Sequence, residues 1–105
     1  MATKYLLVYR GGSMPQDEAA VAQVMAAWEA WFTSIGGAVA DPGEPTSVAR
    51  TIRPDGTVSD PTAASVSGYT VLTADSLDAA VALAKGCPVL AGGASIEVCE
   101  TLDVM

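Results

Sequence analysis

The chain has no histidine among its 105 residues, and few other groups able to do chemistry. A cysteine or serine nucleophile is usually activated by an adjacent base, most often an imidazole, so any reaction here needs another proton acceptor. Cys87 lies between Gly86 and Pro88 in the stretch AKGCPVLAGGASIEV, residues 84–98. A thiol becomes a good nucleophile when a helix N-terminus or neighbouring cations lower its pKa. Cys87 instead follows a helical segment, whose negative end disfavours a thiolate, and Lys85 is the nearest cation in sequence. Cys87 therefore reads as structural, and Cys99, inside a strand-like segment, more so. Gly92-Gly93 could open a phosphate loop, but such loops lead into a helix N-terminus. This pair leads into ASIEV, with no Gly-Lys-Ser/Thr after it, and reads as a turn.

Four residues stand as candidate ligand contacts: Arg10, Trp31, Asp60 and Tyr69. Arg10 closes the first strand-like segment, and a guanidinium there can bind a carboxylate through two hydrogen bonds. Asp60, in SDP (59–61), can serve as a general base if desolvated, with Tyr9 or Tyr69 as the acid partner. Trp28 falls on the apolar stripe of a helix, and Trp31, three positions on, at the edge of that stripe, placed to line a cleft. For each of these the ordinary alternative is packing, a cap or a surface ion pair. Asp55, Glu97 and Glu100 read as solvated charge. Without histidine only oxygen-ligated Mg²⁺ or Ca²⁺ sites remain, and no EF-hand spacing is present, so neither a metal nor a cofactor is expected.

These residues need elements to hold them. KYLLVYR (4–10) is a strand bounded by Gly11-Gly12. Tyr5, Leu7 and Tyr9 fall on one face, Leu6 and Val8 on the other, and an exposed sheet face would carry polar residues instead. Residues 13–37 form the longest helical pattern: Ser13 as N-cap, Gln16 completing a capping box, Gly36-Gly37 as the stop. Val21, Val24, Met25, Trp28, Phe32 and Ile35 supply its stripe. A short strand then enters a loop, and residues 46–61 read as two extended pieces around a turn at Pro54-Asp55-Gly56, with little pattern in 62–67. GYTVLTA (68–74) is a strand. Residues 75–86 form a second helix, capped by Asp75 or Ser76, with Leu77, Ala80, Val81 and Ala84 buried. Residues 94–102 form the last strand, with Ile96, Val98 and Leu102 inward.

The order is βαββαβ, the ferredoxin-like split βαβ arrangement, an α+β class with an antiparallel sheet carrying two helices on one face. The other face is left bare, and the double-sided apolarity of the first strand predicts that it closes on a second copy. One domain is expected for residues 1–105. Half the residues are hydrophobic, enough for a core, while only 16% are charged, a low share for a small monomer's surface and a second pointer to a homodimer. The net charge of −7, with five scattered cations, argues against nucleic acid and against an anionic membrane surface. No apolar run approaches the roughly 18–20 residues of a membrane-spanning helix. The first residues lack the apolar core and cleavage site of a secretion signal, and two cysteines then read as free thiols in a reducing cytoplasm.

The pieces KYLLVYR, DGTVSDP, GYTVLTADSLDAAVALAKGCP and GGASIEV, in this order and spacing, resemble the YCII-related family, in its DGPF-domain branch. The strongest part of the likeness runs from Gly68 to Val98. The resemblance implies a dimeric α+β barrel of ferredoxin-like halves. Most members of the branch have no assigned activity, some are encoded near sigma factors, and a few wider relatives look like small enzymes using a His-Asp pair. This chain departs from that pattern twice. It has no histidine for such a pair, and the Asp-Gly-Pro-Phe signature stands as Ser59-Asp60-Pro61-Thr62, followed by AASVS rather than a charged segment. The expected function is therefore a non-catalytic homodimer that binds a small ligand or a protein. The alternative is a small cofactor-free lyase or isomerase using Asp60 and a tyrosine; a partnership with a transcription regulator rests on the family association alone.

Overall fold

The computed structural model describes residues 3–102. Its centre is β1 (Thr3–Gly11), flanked on both sides by antiparallel strands. On one side lies β5 (Gly68–Ala74), with β2 (Val39–Asp41) beyond it; on the other lies β6 (Ala94–Glu100). The four-stranded order is β2-β5-β1-β6. Two helices, α1 (Glu18–Ile35) and α2 (Leu77–Ala84), complete an α+β fold whose sheet is wholly antiparallel. Between β2 and β5 the chain leaves the main sheet to make a separate hairpin of β3 (Val48–Ala49) and β4 (Thr62–Ala63).

The period-two pattern of β1 is expressed as burial. Tyr5, Leu7 and Tyr9 are buried on the helix-bearing face, with Thr70, Leu72 and Ala74 of β5 beside them. Pairing of Leu6 with Val71 and Cys99, and of Val8 with Tyr69 and Glu97, puts those residues on the opposite face. Neither helix covers that face. Tyr5 packs with Ala74 and Ala80 at one end, while Leu7, Tyr9, Trp31, Leu72, Ala84 and Cys87 make the main core.

The helix ends differ from the sequence reading for physical reasons. α1 starts at Glu18, capped by Asp17, whose carboxylate accepts from the Ala20 N–H at 3.2 Å. Ser13 is not the cap: its N–H donates to the Gly92 carbonyl at 3.1 Å. Pro15 also disfavours helical backbone at Met14, so the segment stays non-helical. α2 is capped as read, by Ser76 accepting from Ala79 N–H. Leu77, assigned to its buried stripe, is 44% exposed, and Ala80 and Ala84 carry the packing. β6 stops at Glu100, so Leu102 is not inward but 81% exposed. Met25, placed on the stripe of α1, is 57% exposed. Trp31 is the buried residue of that helix.

Among the described residues, no helix is long and apolar enough to cross a membrane.

Candidate functional site

Only the C-terminal half of α1 is drawn into the core. Trp31 is 5% exposed, and its indole N–H donates to the Leu83 carbonyl of α2 at 3.0 Å. Gly86 eases this approach, because a Cβ there would stand 3.2 Å from the indole Cδ1, close enough to push the ring by a few tenths of an ångström. Trp28 packs edge-on to Tyr9 and to Trp31, with ring centroids 5.8 Å apart in each pair, and Phe32 stacks at a tilt on both tryptophans. Edge-to-face aromatic contacts of this kind fix ring positions beyond what burial alone does.

The N-terminal half of α1 stands away from the sheet, and a groove of about 950 Å³ opens between them. Its back is aromatic, from Tyr9, Trp28 and Phe32, and its rim includes Met14 and Met25. Two loops, one running from Gly11 to Pro15 and one from Pro42 to Pro45, wall it together with the turn from Pro88 to Gly92. The second loop depends on glycine. Gly43 has φ +79°, and a Cβ on it would lie 1.6 Å from the Tyr69 carbonyl oxygen. Among the described residues Glu44 is the one charged residue in the lining, and no cation contributes to it.

The floor holds a hydrogen-bonded chain of three side chains from distant parts of the sequence. The Cys87 thiol donates to the Tyr9 hydroxyl at 3.6 Å, Tyr9 donates to Thr70 Oγ1 at 2.7 Å, and Thr70 donates to the Pro42 carbonyl at 3.0 Å. Every hydroxyl in this chain has a partner. Burial pushes the Tyr9 phenol far above its ordinary value, and the Cys87 contact adds to that, outweighing the opposite pull of Thr70. Burial likewise raises the Cys87 thiol. Both groups stay protonated at neutral pH, so the chain braces strand, loop and turn and supplies neither a base nor a thiolate nucleophile.

The sequence candidates are dispersed. Tyr69 borders the groove where its carbonyl meets Gly43, while its half-buried side chain lies on the opposite sheet face with Val8. Trp31 does not line a cleft; it is a core residue behind Trp28. Arg10 is exposed on the bare sheet face and pairs with Glu97 at 3.5 Å, the surface ion pair weighed as its ordinary role. Such exposed pairs contribute about 0–1 kcal/mol. Asp60 is exposed on the β3–β4 hairpin and, like Arg10, does not line the groove. Glu44, Met14 and the two loops were missed, because they reach the groove by loop path and not by any pattern of spacing. Tyr9 was named only as an acid partner for Asp60, and it belongs instead to the buried chain. Among the described residues no group of three or more His, Cys, Asp or Glu side chains is placed to hold a metal ion.

Ser67 also borders the groove, and its Oγ is shielded from solvent without a partner among the described residues. Comparison with known protein families and with curated proteins finds no match.

Proposed function

We propose that this chain is a non-catalytic, small-ligand-binding homodimer of the YCII-related type, DGPF branch. The groove beside Trp28 carries the reading. At about 950 Å³ it falls within the roughly 300–1,000 Å³ typical of small-molecule sites, and like them it is mostly apolar with a few polar groups. Tyr9 in its floor is held neutral and is already hydrogen-bonded to Thr70 and to Cys87 behind it, which favours binding over turnover. Aromatic walls, with no cation among the described lining residues, suit an uncharged, flat, apolar ligand.

The strand order β2-β5-β1-β6 supports a ferredoxin-like topology with an inserted hairpin. The uncovered sheet face, with Leu6, Val8, Val71 and Cys99 on it, supports face-to-face pairing of two copies into an α+β barrel. Two free cysteines suit a reducing cytoplasm.

The test is a titration with N-phenyl-1-naphthylamine, a neutral apolar dye whose fluorescence rises out of water. Wild type is expected to bind it with saturation. Trp28→Ala, which strips one wall of the groove, is expected to weaken binding by roughly tenfold or more, the equivalent of about 1.4 kcal/mol. Absence of saturable binding, or equal binding by Trp28→Ala, overturns the reading.

A further inference from the structure

Apart from Ser67 at its base, the β3–β4 arm does not line the groove, and it is built in a way that a free monomer does not explain. Its root is anchored where Pro45 bridges Gly68 and the Thr46 N–H donates to the Ser67 carbonyl. Beyond that, β3 and β4 make their contacts chiefly with each other. The distal end is well made. Ile52 pairs directly with Val58, Arg53 N–H donates to the Thr57 carbonyl at 2.8 Å, and Asp55 accepts from the Thr57 N–H and hydroxyl at 2.9 and 2.7 Å. Gly56, at φ +89°, turns the tip. The arm is thus a defined hairpin, but two-stranded hairpins are at best marginally stable alone in water.

What the arm displays is apolar. Val48 is 70% exposed, Ile52 73% and Val58 45%. Because Ile52 and Val58 are direct cross-strand partners, they lie side by side on one face of the hairpin. Three exposed branched side chains on one short arm make the kind of patch that marks an interaction surface.

Charge and shape say what covers it. The arm, residues 46–67, holds two of the chain's five cations and two of its twelve acids, so the rest of the molecule carries the whole net charge of −7. Arg50 and Arg53 bond only to hydroxyl and carbonyl groups of the hairpin itself, and neither is paired with a carboxylate among the described residues. A neutral arm with two unpaired guanidiniums complements an acidic body, and the acidic body at hand is another copy of this chain. The shape agrees. The radius of gyration is 15.4 Å, against about 13 Å for a compact domain of this length, and the molecule is only 17 Å thick with 44 and 43 Å across. A thin, spread protomer with a bare sheet face is half of a thicker object.

We infer that the β3–β4 hairpin is an intermolecular clasp: in the homodimer it reaches onto the second copy, burying Ile52 and Val58 there and setting Arg50 and Arg53 against that copy's acidic surface. The inference rests on the homodimer reading and adds to it a second interface outside the paired sheets. A two-fold symmetric dimer contains the clasp twice, so any change in the arm counts twice.

The experiment is a dilution series by light scattering and analytical ultracentrifugation on wild type and on the double variant Ile52→Asp/Val58→Asp. Far-ultraviolet circular dichroism and the emission of buried Trp31 check that each chain is folded. The double variant is expected to raise the dimer dissociation constant by roughly a hundredfold or more, since four apolar side chains per dimer lose their burial. Arg50→Glu/Arg53→Glu is expected to weaken the dimer as well, most at low salt, where the added repulsion between acidic surfaces is least screened. A wild-type dimer that dissociates no more readily after Ile52→Asp/Val58→Asp overturns the clasp and leaves the sheet-to-sheet dimer standing. A wild type that is monomeric at micromolar concentration overturns both. Trypsin gives a measurement without substitution: it cuts after Arg50, whereas Pro54 blocks cutting after Arg53. Cutting after Arg50 is expected to slow as the protein concentration rises through the dissociation constant. An unchanged rate overturns the clasp.

Discussion

Tyr9 concentrates what single residues contribute to this protein. Its ring backs the groove and meets Trp28 edge-on, and its hydroxyl links Cys87 to Thr70. Burial raises both the Tyr9 phenol and the Cys87 thiol above their ordinary values of about 10 and 8.5. In the unfolded chain each ionises near that ordinary value; in the folded chain each keeps its proton. Above about pH 8.5 the unfolded state therefore binds fewer protons, and stability falls as pH rises. Below that pH the contribution is fully present. Urea unfolding followed from pH 7 to pH 11 is expected to show this decline. Tyr9→Phe is expected to cost about 1 kcal/mol at pH 7, through the lost hydrogen bonds, and to flatten the alkaline decline. A decline as steep as that of wild type in Tyr9→Phe would rule out the phenol as its source.

Helix α1 is held at one end and free at the other, and Trp31 is what holds it. The residue combines near-complete burial, a hydrogen bond to the last turns of α2 and close contact with Gly86. Trp31→Ala is expected to destabilise the fold by about 3–5 kcal/mol, the usual range for removing a large buried aromatic. Trp31→Phe keeps most of the apolar area and loses the N–H donor, while the Leu83 carbonyl still accepts from the Gly86 N–H, and is expected to cost about 0.5–1.5 kcal/mol. Thermal or chemical denaturation distinguishes the two; since both variants lack the indole N–H, equal losses would mean that ring burial at this position adds nothing beyond the hydrogen bond. Because the same rings position Trp28, both variants are also expected to loosen the groove.

At the scale of the whole molecule, burial is lopsided. One sheet face carries the helices, and the other presents Leu6, Val8, Val71 and Cys99 around the Arg10–Glu97 pair. Val8 is nearly buried within this layer, whereas Leu6, Val71 and Cys99 remain half-exposed. Introducing a carboxylate there, as in Leu6→Asp, would in the proposed dimer put a charge between two apolar layers, a position where an unpaired charge is strongly disfavoured. Light scattering is expected to report a dimer for wild type and a monomer for Leu6→Asp, with the circular dichroism unchanged. A dimer that survives Leu6→Asp would move the interface off the sheet.

The sequence by itself determined the elements whose signal is local. Alternation in β1 and β5, the cap at Ser76 and the Pro54-Asp55-Gly56 turn all stand where spacing and turn chemistry put them, because each depends on residues within a few positions of one another. The α+β class and the two-sided apolarity of β1 follow from the same local periods. Tertiary contact decided the rest. The Ser13–Gly92 hydrogen bond displaced the start of α1, and the Leu83 carbonyl drew Trp31 from the expected cleft edge into the core. The groove exists because two glycine- and proline-rich loops, more than 25 positions apart in sequence, meet the standing half of α1. Arg10 and Asp60 ended on different surfaces for the same reason: strand pairing fixed the face of one, and an inserted hairpin carried the other away. Period and propensity act over a few residues, whereas a binding surface is assembled from contacts across the whole chain.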